Sequence, residues 1–391
     1  MSTVKRYRSF GSTAFTLVEL MVSTAIISLL MLILAAMVNQ FSQTWRYTTN
    51  RVESFQAARD GFESMTRKLS QATLNTYWDL YYVNVAGRQA PKDFIRQSQL
   101  RFVSGPVAKL APTNNRYTHA VFFQAPLGMV NDRASLSAMR NLLNTWGYFL
   151  EEGDDSLLRP SFLEGRVPLR TRCRLMELMQ PAEAMSVYDL DPKGATTQVP
   201  GDQLVWFRSA LVASPRPVRA LADNIVALII WPKLANADEN TRWDQGKSPL
   251  SPNYLYDSSL LTFKSQRFGS ATAPVYLNDG ATLMNQTDLQ EAADINPKNQ
   301  LPPIVQVTMV AIDEQSAIRL EDSGKKDGVI KLTDGLFQVA CRPGTRSSQV
   351  TQYTQDLQTM EQRLVTAKVS YRIFETNVLI RGAKWSTAQS K

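Results

Sequence analysis

The sequence predicts an α+β fold in which a long N-terminal transmembrane helix continues into a head built on an antiparallel sheet with large insertions. Three observations predict this class: an apolar block near the N-terminus, apolar residues at helical spacing after it, and short β-rich runs between turn residues over the remainder. Of the 391 residues, 44% are apolar, which is enough for a core and excludes a disordered polymer. One His and two Cys exclude multi-histidine and four-thiolate metal sites, and we expect no cofactor.

The N-terminal block has the length and charge asymmetry of a membrane anchor. Of the residues from Phe15 to Val38, 19 of 24 are apolar and the single charged group is Glu19. A helix of this length spans roughly 36 Å, enough to cross the ~30 Å hydrocarbon layer. Residues 1–14 carry three basic groups and no acid, so the positive-inside bias places the N-terminus in the cytoplasm. We therefore predict a basic leader over residues 1–14 and a single transmembrane helix over residues 15–38.

The block differs from a secretory signal peptide, because it is longer and no Ala-x-Ala-like cleavage site follows it. The formal charge of +8 falls to +5 without residues 1–14, since three of the 43 basic residues lie there. The basic character of the chain is thus partly a property of the leader.

An amphipathic continuation of the helix is predicted over residues 39–74. Apolar residues recur there at spacings of 3, 4 and 7, and no Pro occurs before Pro91: Phe41, Trp45, Val52, Phe55, Phe62, Met65 and Leu69. This stripe packs either against other subunits or against the chain's own sheet, and we favour the second interpretation.

Residues 75–391 are predicted to form the extracytoplasmic α+β head. Strands are expected over residues 100–103, 120–124, 148–151, 172–178, 224–231, 304–312 and 369–379. Short helices are expected over residues 133–143, 202–212 and 354–365. Polar stretches over residues 181–201, 235–251 and 278–300 indicate long surface insertions.

The junction between leader and apolar block carries a family resemblance. Ala14-Phe15-Thr16-Leu17-Val18-Glu19-Leu20 resembles the class III signal of type IV pilins and type II secretion pseudopilins. The resemblance implies cleavage by a prepilin peptidase between Ala14 and Phe15, followed by N-methylation of Phe15. It also implies that Glu19 pairs with the terminal ammonium of a neighbouring subunit, which would remove the cost of an unpaired carboxylate in lipid. The family usually has Gly at the position of Ala14.

Two late segments resemble one branch of that superfamily. Leu301-Pro302-Pro303-Ile304-Val305-Gln306-Val307-Thr308-Met309-Val310-Ala311-Ile312-Asp313 and Arg372-Ile373-Phe374-Glu375-Thr376-Asn377-Val378-Leu379-Ile380-Arg381 are similar to the closing strands of minor pseudopilin J and pilin W. With residues 58–75, they also resemble the Verru_Chthon cassette protein C family. The resemblance implies a pilin-like head, in which an antiparallel sheet packs on the long helix.

The function implied by the resemblance is that of a non-enzymatic subunit in a type II secretion or type IV pilus-like assembly. It implies a bacterial inner-membrane protein with a periplasmic head that can enter a pseudopilus. The implied partners are the inner membrane, the prepilin peptidase, other pseudopilins and an assembly platform.

Two functions of other classes stay open: a membrane-tethered extracytoplasmic enzyme or binding module, and a minor pilin for DNA uptake or adhesion. The sequence contains no G-x-S-x-G elbow, and Gln245-Gly246-Lys247-Ser248 lacks the first Gly of a phosphate-binding loop. We therefore expect neither an enzyme nor a nucleic-acid partner.

Several residues in the head have two interpretations each. Cys173 and Cys341 form a disulfide if the head is extracytoplasmic, or are buried free thiols. The segment 151–155 is a calcium-binding loop or, as we favour, a solvated acidic turn. Arg170, Arg172 and Arg174 alternate at strand period and form a cationic patch or, as we favour, an ordinary solvated face. His119 is expected to be structural rather than catalytic.

Overall fold

A computed structural model describes residues 16–113, 115–131, 139, 141–156, 160, 162, 165–189, 204–235, 250–251, 253–258, 299–322, 330–340 and 352–384. The chain divides into two compact units, Met1–Val52 and Glu53–Lys391. The described residues combine α-helices with antiparallel sheets, and one long apolar helix lies at the N-terminal end. The structure confirms the part of the predicted fold that concerns the combination of helices with antiparallel sheet and the apolar helix at the N-terminal end.

Helix α1 covers Leu17–Leu69. It is uninterrupted because the segment contains no Pro and a single Gly, Gly61, where an added Cβ would lie 3.4 Å from the Cβ of Ala222. Lys68 and Arg67 occupy its last turn, where cations interact favourably with the helix dipole. The helix ends before the predicted residue 74, because the backbone N–H of Thr73 donates to the carbonyl of Gln124, 2.9 Å away, and joins the head.

The strands and the shorter helices all follow α1. The strands are β1 Tyr77–Val85, β2 Arg88–Gln97, β3 Val103–Pro106, β4 Arg116–Pro126, β5 Leu143–Gly153, β6 Arg172–Gln180, β7 Val218–Asp223, β8 Ile225–Lys233, β9 Tyr256–Asp257, β10 Ile304–Ile312 and β11 Tyr371–Leu379. The helices are α2 Val107–Leu110, α3 Val205–Val212, α4 Glu314–Asp322, α5 Ile330–Thr333 and α6 Gln352–Thr366, with two 3₁₀ turns at Ala182–Ala184 and Val187–Asp189.

The described strands form three antiparallel sheets. A six-stranded sheet has the order β7-β6-β5-β4-β3-β9, a three-stranded sheet has the order β11-β10-β8, and β1 pairs with β2 in a separate hairpin. Ala86 and Gly87 turn the hairpin with φ values of 50° and 80°, as a two-residue hairpin loop of type I′ requires.

The second half of α1 packs on the two larger sheets. The first core cluster combines residues of α1 with residues of both sheets, among them Phe62, Met65, Tyr148, Leu228 and Met309. Two further clusters cover the opposite faces of these sheets. One packs the six-stranded sheet against α2 and α3, and the other packs the three-stranded sheet against α5 and α6. Both larger sheets are therefore buried on two faces, which gives their central strands nearly continuous apolar sequences.

Most predicted strands coincide with observed ones. The strand predicted over residues 304–312 is confirmed as β10, and those predicted over 120–124, 148–151 and 172–178 lie within β4, β5 and β6. The strand predicted over residues 100–103 is wrong in its bounds and begins only at Val103, because Asn75 Oδ1 accepts hydrogen bonds from the backbone N–H groups of Gln99 and Leu100 and holds a turn there.

The helices predicted over 202–212 and 354–365 correspond to α3 and α6. Most of the helix predicted over 133–143 lies outside the described residues, and Leu143, at its predicted end, begins β5 instead. Most of the three predicted insertions also lies outside the described residues.

Candidate assembly segment

The first turn of α1 contains the carboxylate that the sequence analysis singles out. The backbone N–H of Glu19 donates to Oγ1 of Thr16, 3.3 Å away, while the backbone N–H and the hydroxyl of Thr16 donate to Oε2 of Glu19 at 3.5 and 3.4 Å. This reciprocal pattern is a capping box, which satisfies N–H groups that have no partner inside the helix. Glu19 therefore has a local role in starting α1, whether or not it also binds a second subunit.

After this turn, α1 exposes apolar side chains over almost its whole first half. Leu17–Trp45 is the one candidate membrane span among the described residues, judged by length and composition. Phe41 and Trp45 lie on the same helical face beyond the predicted span, with ring centroids 6.1 Å apart. The chain therefore has an N-terminal helix that could cross a membrane.

The apolar stripe of residues 41–69 divides into two parts. Phe62, Met65 and Leu69 are buried in the first core cluster, which agrees with the favoured interpretation that this stripe contacts the chain's own sheet. Phe41 and Trp45 are exposed, so that interpretation is wrong for the N-terminal part of the stripe.

An ionic network around one buried carboxylate attaches the last turn of α1 to the six-stranded sheet. Glu177 of β6 is fully buried and accepts hydrogen bonds from Lys68 of α1, from Tyr148 of β5 at 2.7 Å and from Arg219 of β7. The Lys68 ammonium also lies 4.1 Å from the centre of the Trp146 ring. A buried carboxylate is stable only when it is paired in this way, so the network fixes where α1 meets the sheet.

The three alternating arginines do not form a free cationic patch. Arg170 and Arg172 both pair with Glu321 of α4, at 3.2 and 3.0 Å, and Arg172 also pairs with Glu314. Arg174 pairs with Asp223 at 2.9 Å. The favoured interpretation as a solvated strand face is also wrong, because Arg172 and Arg174 are buried between β6 and its neighbours.

An arginine also occupies the inner side of the acidic turn. The guanidinium Nη1 of Arg174 donates to the carbonyls of Gly153 and Asp154 at 3.1 and 2.8 Å. Glu151 is buried and pairs with Arg116 and Arg216, so it is not part of a solvated cluster. Within the described residues, no group of three or more acidic, His or Cys side chains is arranged to hold a metal ion.

His119 has two buried backbone partners, one on each side of the imidazole ring. Its Nδ1 accepts a hydrogen bond from the N–H of Ile230 in β8, and its Nε2 donates to the carbonyl of Phe337, both at 3.0 Å. The ring also packs against Tyr254. Burial lowers the pKa of His119 to about 4, so the imidazole is neutral at pH 7. The geometry supports the structural interpretation of this residue.

The processing residues and one cysteine lie outside the described part of the chain: Ala14, Phe15 and Cys341. Cys173 is buried in β6, and burial raises the pKa of its thiol to about 12. A disulfide between Cys173 and Cys341 stays a prediction, as do the cleavage and methylation sites.

Two features of this segment were missed in the sequence. The spacing Thr16-x-x-Glu19 is a capping-box signature and could have been recognised directly. The pairing of Lys68 with Glu177 joins residues 109 positions apart, and no local pattern indicates it. Comparison with protein-family models, curated proteins and solved structures finds no match to this chain.

Proposed function

We propose that this chain is a prepilin-type minor pseudopilin, a non-enzymatic structural subunit of a type II secretion or type IV pilus-like assembly. In this proposal a prepilin peptidase removes residues 1–14 on the cytoplasmic side, and Phe15 becomes the methylated N-terminus. The helix α1 then holds the protein in the bacterial inner membrane, with the head in the periplasm. Other pseudopilins and an assembly platform are its partners.

The observation that carries the proposal is the division of α1 into two surfaces. Its first half exposes apolar side chains that require lipid or another helix, and its second half belongs to the core of the head. A lone carboxylate, Glu19, lies in the first turn of the exposed half. A carboxylate in lipid costs about 2.5–3.5 kcal/mol near the bilayer centre and less towards the interface, so a cationic partner is favoured there.

The proposed partner of Glu19 is the terminal ammonium of Phe15 in a neighbouring subunit. The contacts of Glu19 with Thr16 involve a single carboxylate oxygen and are 3.4 and 3.5 Å long. Because these contacts are weak, an ammonium group could approach the carboxylate without loss of a strong hydrogen bond.

Processing is the first step to test. The full chain is expressed with an active prepilin peptidase, and the intact mass of the membrane-extracted protein is measured. We expect loss of residues 1–14 and the addition of one methyl group. Ala14→Gly, which introduces the family's usual residue, should be cleaved at least as completely, and Ala14→Glu should not be cleaved. A wild-type protein that keeps Met1 while a known prepilin is cleaved in the same cells would contradict the proposal.

Two substitutions of Glu19 separate its capping role from subunit pairing. Gln can replace Glu in a capping box but carries no charge, whereas Ala removes both functions. If Glu19 pairs with an ammonium, Glu19→Gln and Glu19→Ala should both abolish incorporation into the assembly while the head stays folded. If Glu19 only caps α1, Glu19→Gln should be incorporated like the wild-type chain. Incorporation is measured by crosslinking in membranes, and folding by protease resistance of the head.

A further inference from the structure

The first half of α1 is apolar on every side. The six consecutive residues 29–34 are all apolar, and each is between 43% and 69% exposed. Since a helix has about 3.6 residues per turn, six consecutive residues cover its whole circumference. A helix that packs on one partner needs a single apolar stripe, whereas lipid contacts all faces of a helix. This half of α1 therefore fits the acyl chains of phospholipids better than one protein surface.

The hydroxyl groups within residues 20–38 need no water as a partner. Ser23, Thr24 and Ser28 donate to backbone carbonyls about one turn earlier, at 2.7, 3.0 and 2.8 Å. They are the only hydroxyl residues of this range, and the range contains no charged residue. An unpaired polar group is costly in hydrocarbon, so this segment can enter lipid without that cost.

The polar residues that bound this segment are separated by the thickness of a membrane. Asn39 follows Glu19 by 20 residues, which corresponds to about 30 Å along a helix. The hydrocarbon layer of a bilayer is also ~30 Å thick. A helix without tilt can therefore place Glu19 at one boundary of the hydrocarbon and Asn39 at the other.

An exposed aromatic pair follows directly after this segment. Phe41 and Trp45 are 68% and 65% exposed and lie about 3 and 9 Å beyond Asn39 along the helix. The headgroup region adds about 5–8 Å on each side of the hydrocarbon. Because helical side chains lean towards the N-terminus, the Trp45 ring lies closer to the hydrocarbon than its Cα does. Both rings then lie at the level where aromatic side chains are enriched in membrane proteins.

We propose that the lipid fixes the register of α1 in the membrane at both ends. Glu19 and Asn39 lie at the two boundaries of the hydrocarbon layer, and Phe41 and Trp45 lie among the phospholipid headgroups on the periplasmic side. This inference rests on the membrane topology of the proposed function, but it requires neither cleavage of the leader nor assembly.

The register has a consequence for Glu19 before assembly. The cost of a carboxylate decreases from the bilayer centre towards the interface, where the group can reach water. A single chain in the membrane can therefore keep Glu19 hydrated and unpaired. The need for an ammonium partner arises when α1 leaves this register and its first turn packs among other helices.

Depth-dependent quenching of tryptophan fluorescence tests the register. The full chain is reconstituted at one copy per nanodisc, in phosphatidylcholine and phosphatidylglycerol brominated either near the headgroup or near the ends of the acyl chains. The chain has seven tryptophans, so the emission of Trp45 is taken as the difference between the wild-type chain and Trp45→Phe. We expect this emission to be lost mainly with bromine near the headgroup.

Two reference tryptophans are introduced one at a time into the Trp45→Phe chain. Leu29→Trp lies about 15 Å from both Glu19 and Asn39 and should be quenched mainly by bromine near the chain ends. Leu17→Trp lies beyond Glu19 and should be quenched mainly by bromine near the headgroup. Leu17 and Leu29 are 77% and 60% exposed, so neither substitution disturbs the packing of the head.

Three outcomes would overturn the proposal. They are quenching of Trp45 by aqueous iodide but by neither lipid, protection of Trp45 from iodide and from both lipids, and quenching of Trp45 or Leu17→Trp in the same order as Leu29→Trp. The processing experiment reads the mass of the chain and is independent of these results. A chain that keeps Met1 but shows the expected quenching would contradict the pseudopilin function and leave the register in place.

Discussion

Acidification should destabilise the head through His119, the one histidine of the chain. The unprotonated Nδ1 of this residue accepts the Ile230 N–H, so a proton added at Nδ1 would face another donor. Burial lowers the pKa of His119 to about 4, compared with about 6.5 in an unfolded chain. Between these values the unfolded state binds a proton that the folded state does not bind.

The size and sign of the effect follow from this difference in pKa. The contribution of His119 to the free energy of unfolding is fully present above pH 6.5. It is lost as the pH falls towards 4, because between these two values the proton binds to and stabilises only the unfolded state. At 1.36 kcal/mol per unit, the free energy of unfolding should decrease by about 3 kcal/mol between pH 7.5 and pH 4. Below pH 4 this histidine adds no further loss, since both states are then protonated.

Urea unfolding of the full chain in detergent, followed by tryptophan fluorescence, measures this effect. Carboxylates also titrate near pH 4, so the informative quantity is the difference between the wild-type chain and His119→Asn. At pH 7.5 the variant should be about 1–3 kcal/mol less stable, because it loses buried hydrogen bonds. That difference should shrink by about 3 kcal/mol at pH 4 and can change sign. A difference that stays constant over this range, or a His119 NMR signal that titrates near pH 6.5, would refute the reasoning.

Two further predictions concern the core of the head and use the same unfolding assay. Glu177→Gln should lower the free energy of unfolding by about 1–3 kcal/mol, because it replaces the buried carboxylate that accepts hydrogen bonds from Lys68, Tyr148 and Arg219 with a neutral amide. Glu63→Gln, in an exposed pair, should leave the urea midpoint unchanged, and equal effects would contradict the assignment. Gly147→Ala should cost about 1–3 kcal/mol, since a Cβ there would lie 2.3 Å from the Phe122 ring. Gly153→Ala, in the same strand, is the control and should be nearly neutral, because the nearest atom to its Cβ would be Nη1 of Arg174 at an ordinary contact distance of 3.7 Å. An equally stable Gly147→Ala would show that Phe122 can move.

The sequence predicted the elements whose local pattern matches their environment. β10 has seven apolar residues among its nine and lies in the middle of a sheet, and α6 has buried residues at helical spacing, including Tyr353, Met360 and Leu364. Local propensity and tertiary burial favour the same structure in both cases, so the prediction was correct.

The β1–β2 hairpin could not be predicted in the same way. Pro91 within β2 argues against a strand, and the two strands pair only with each other among the described strands. The network around Glu177 was missed for another reason, because its partners come from α1, β5 and β7, and their proximity depends on the complete fold. At the N-terminus the opposite holds, since the apolar block and Glu19 are local features that the sequence displays without reference to the fold.

The buried polar contacts of the head lie where separate helices and strands meet. We infer that they fix the positions of these elements relative to one another. Glu177 joins α1 to β6 and β7, Arg172 joins β6 to α4, and His119 joins β4 to β8. Apolar contacts are nondirectional and would allow α1 to shift along the sheet, whereas a buried ion pair is satisfied at one position only. If α1 is held in a membrane or a fibre, the contact between Lys68 and Glu177 would resist sliding of α1 along the sheet more than the apolar contacts of Phe62 and Met65 would. Loss of that contact should therefore affect the attachment of the head to α1 more than the internal packing of the six-stranded sheet.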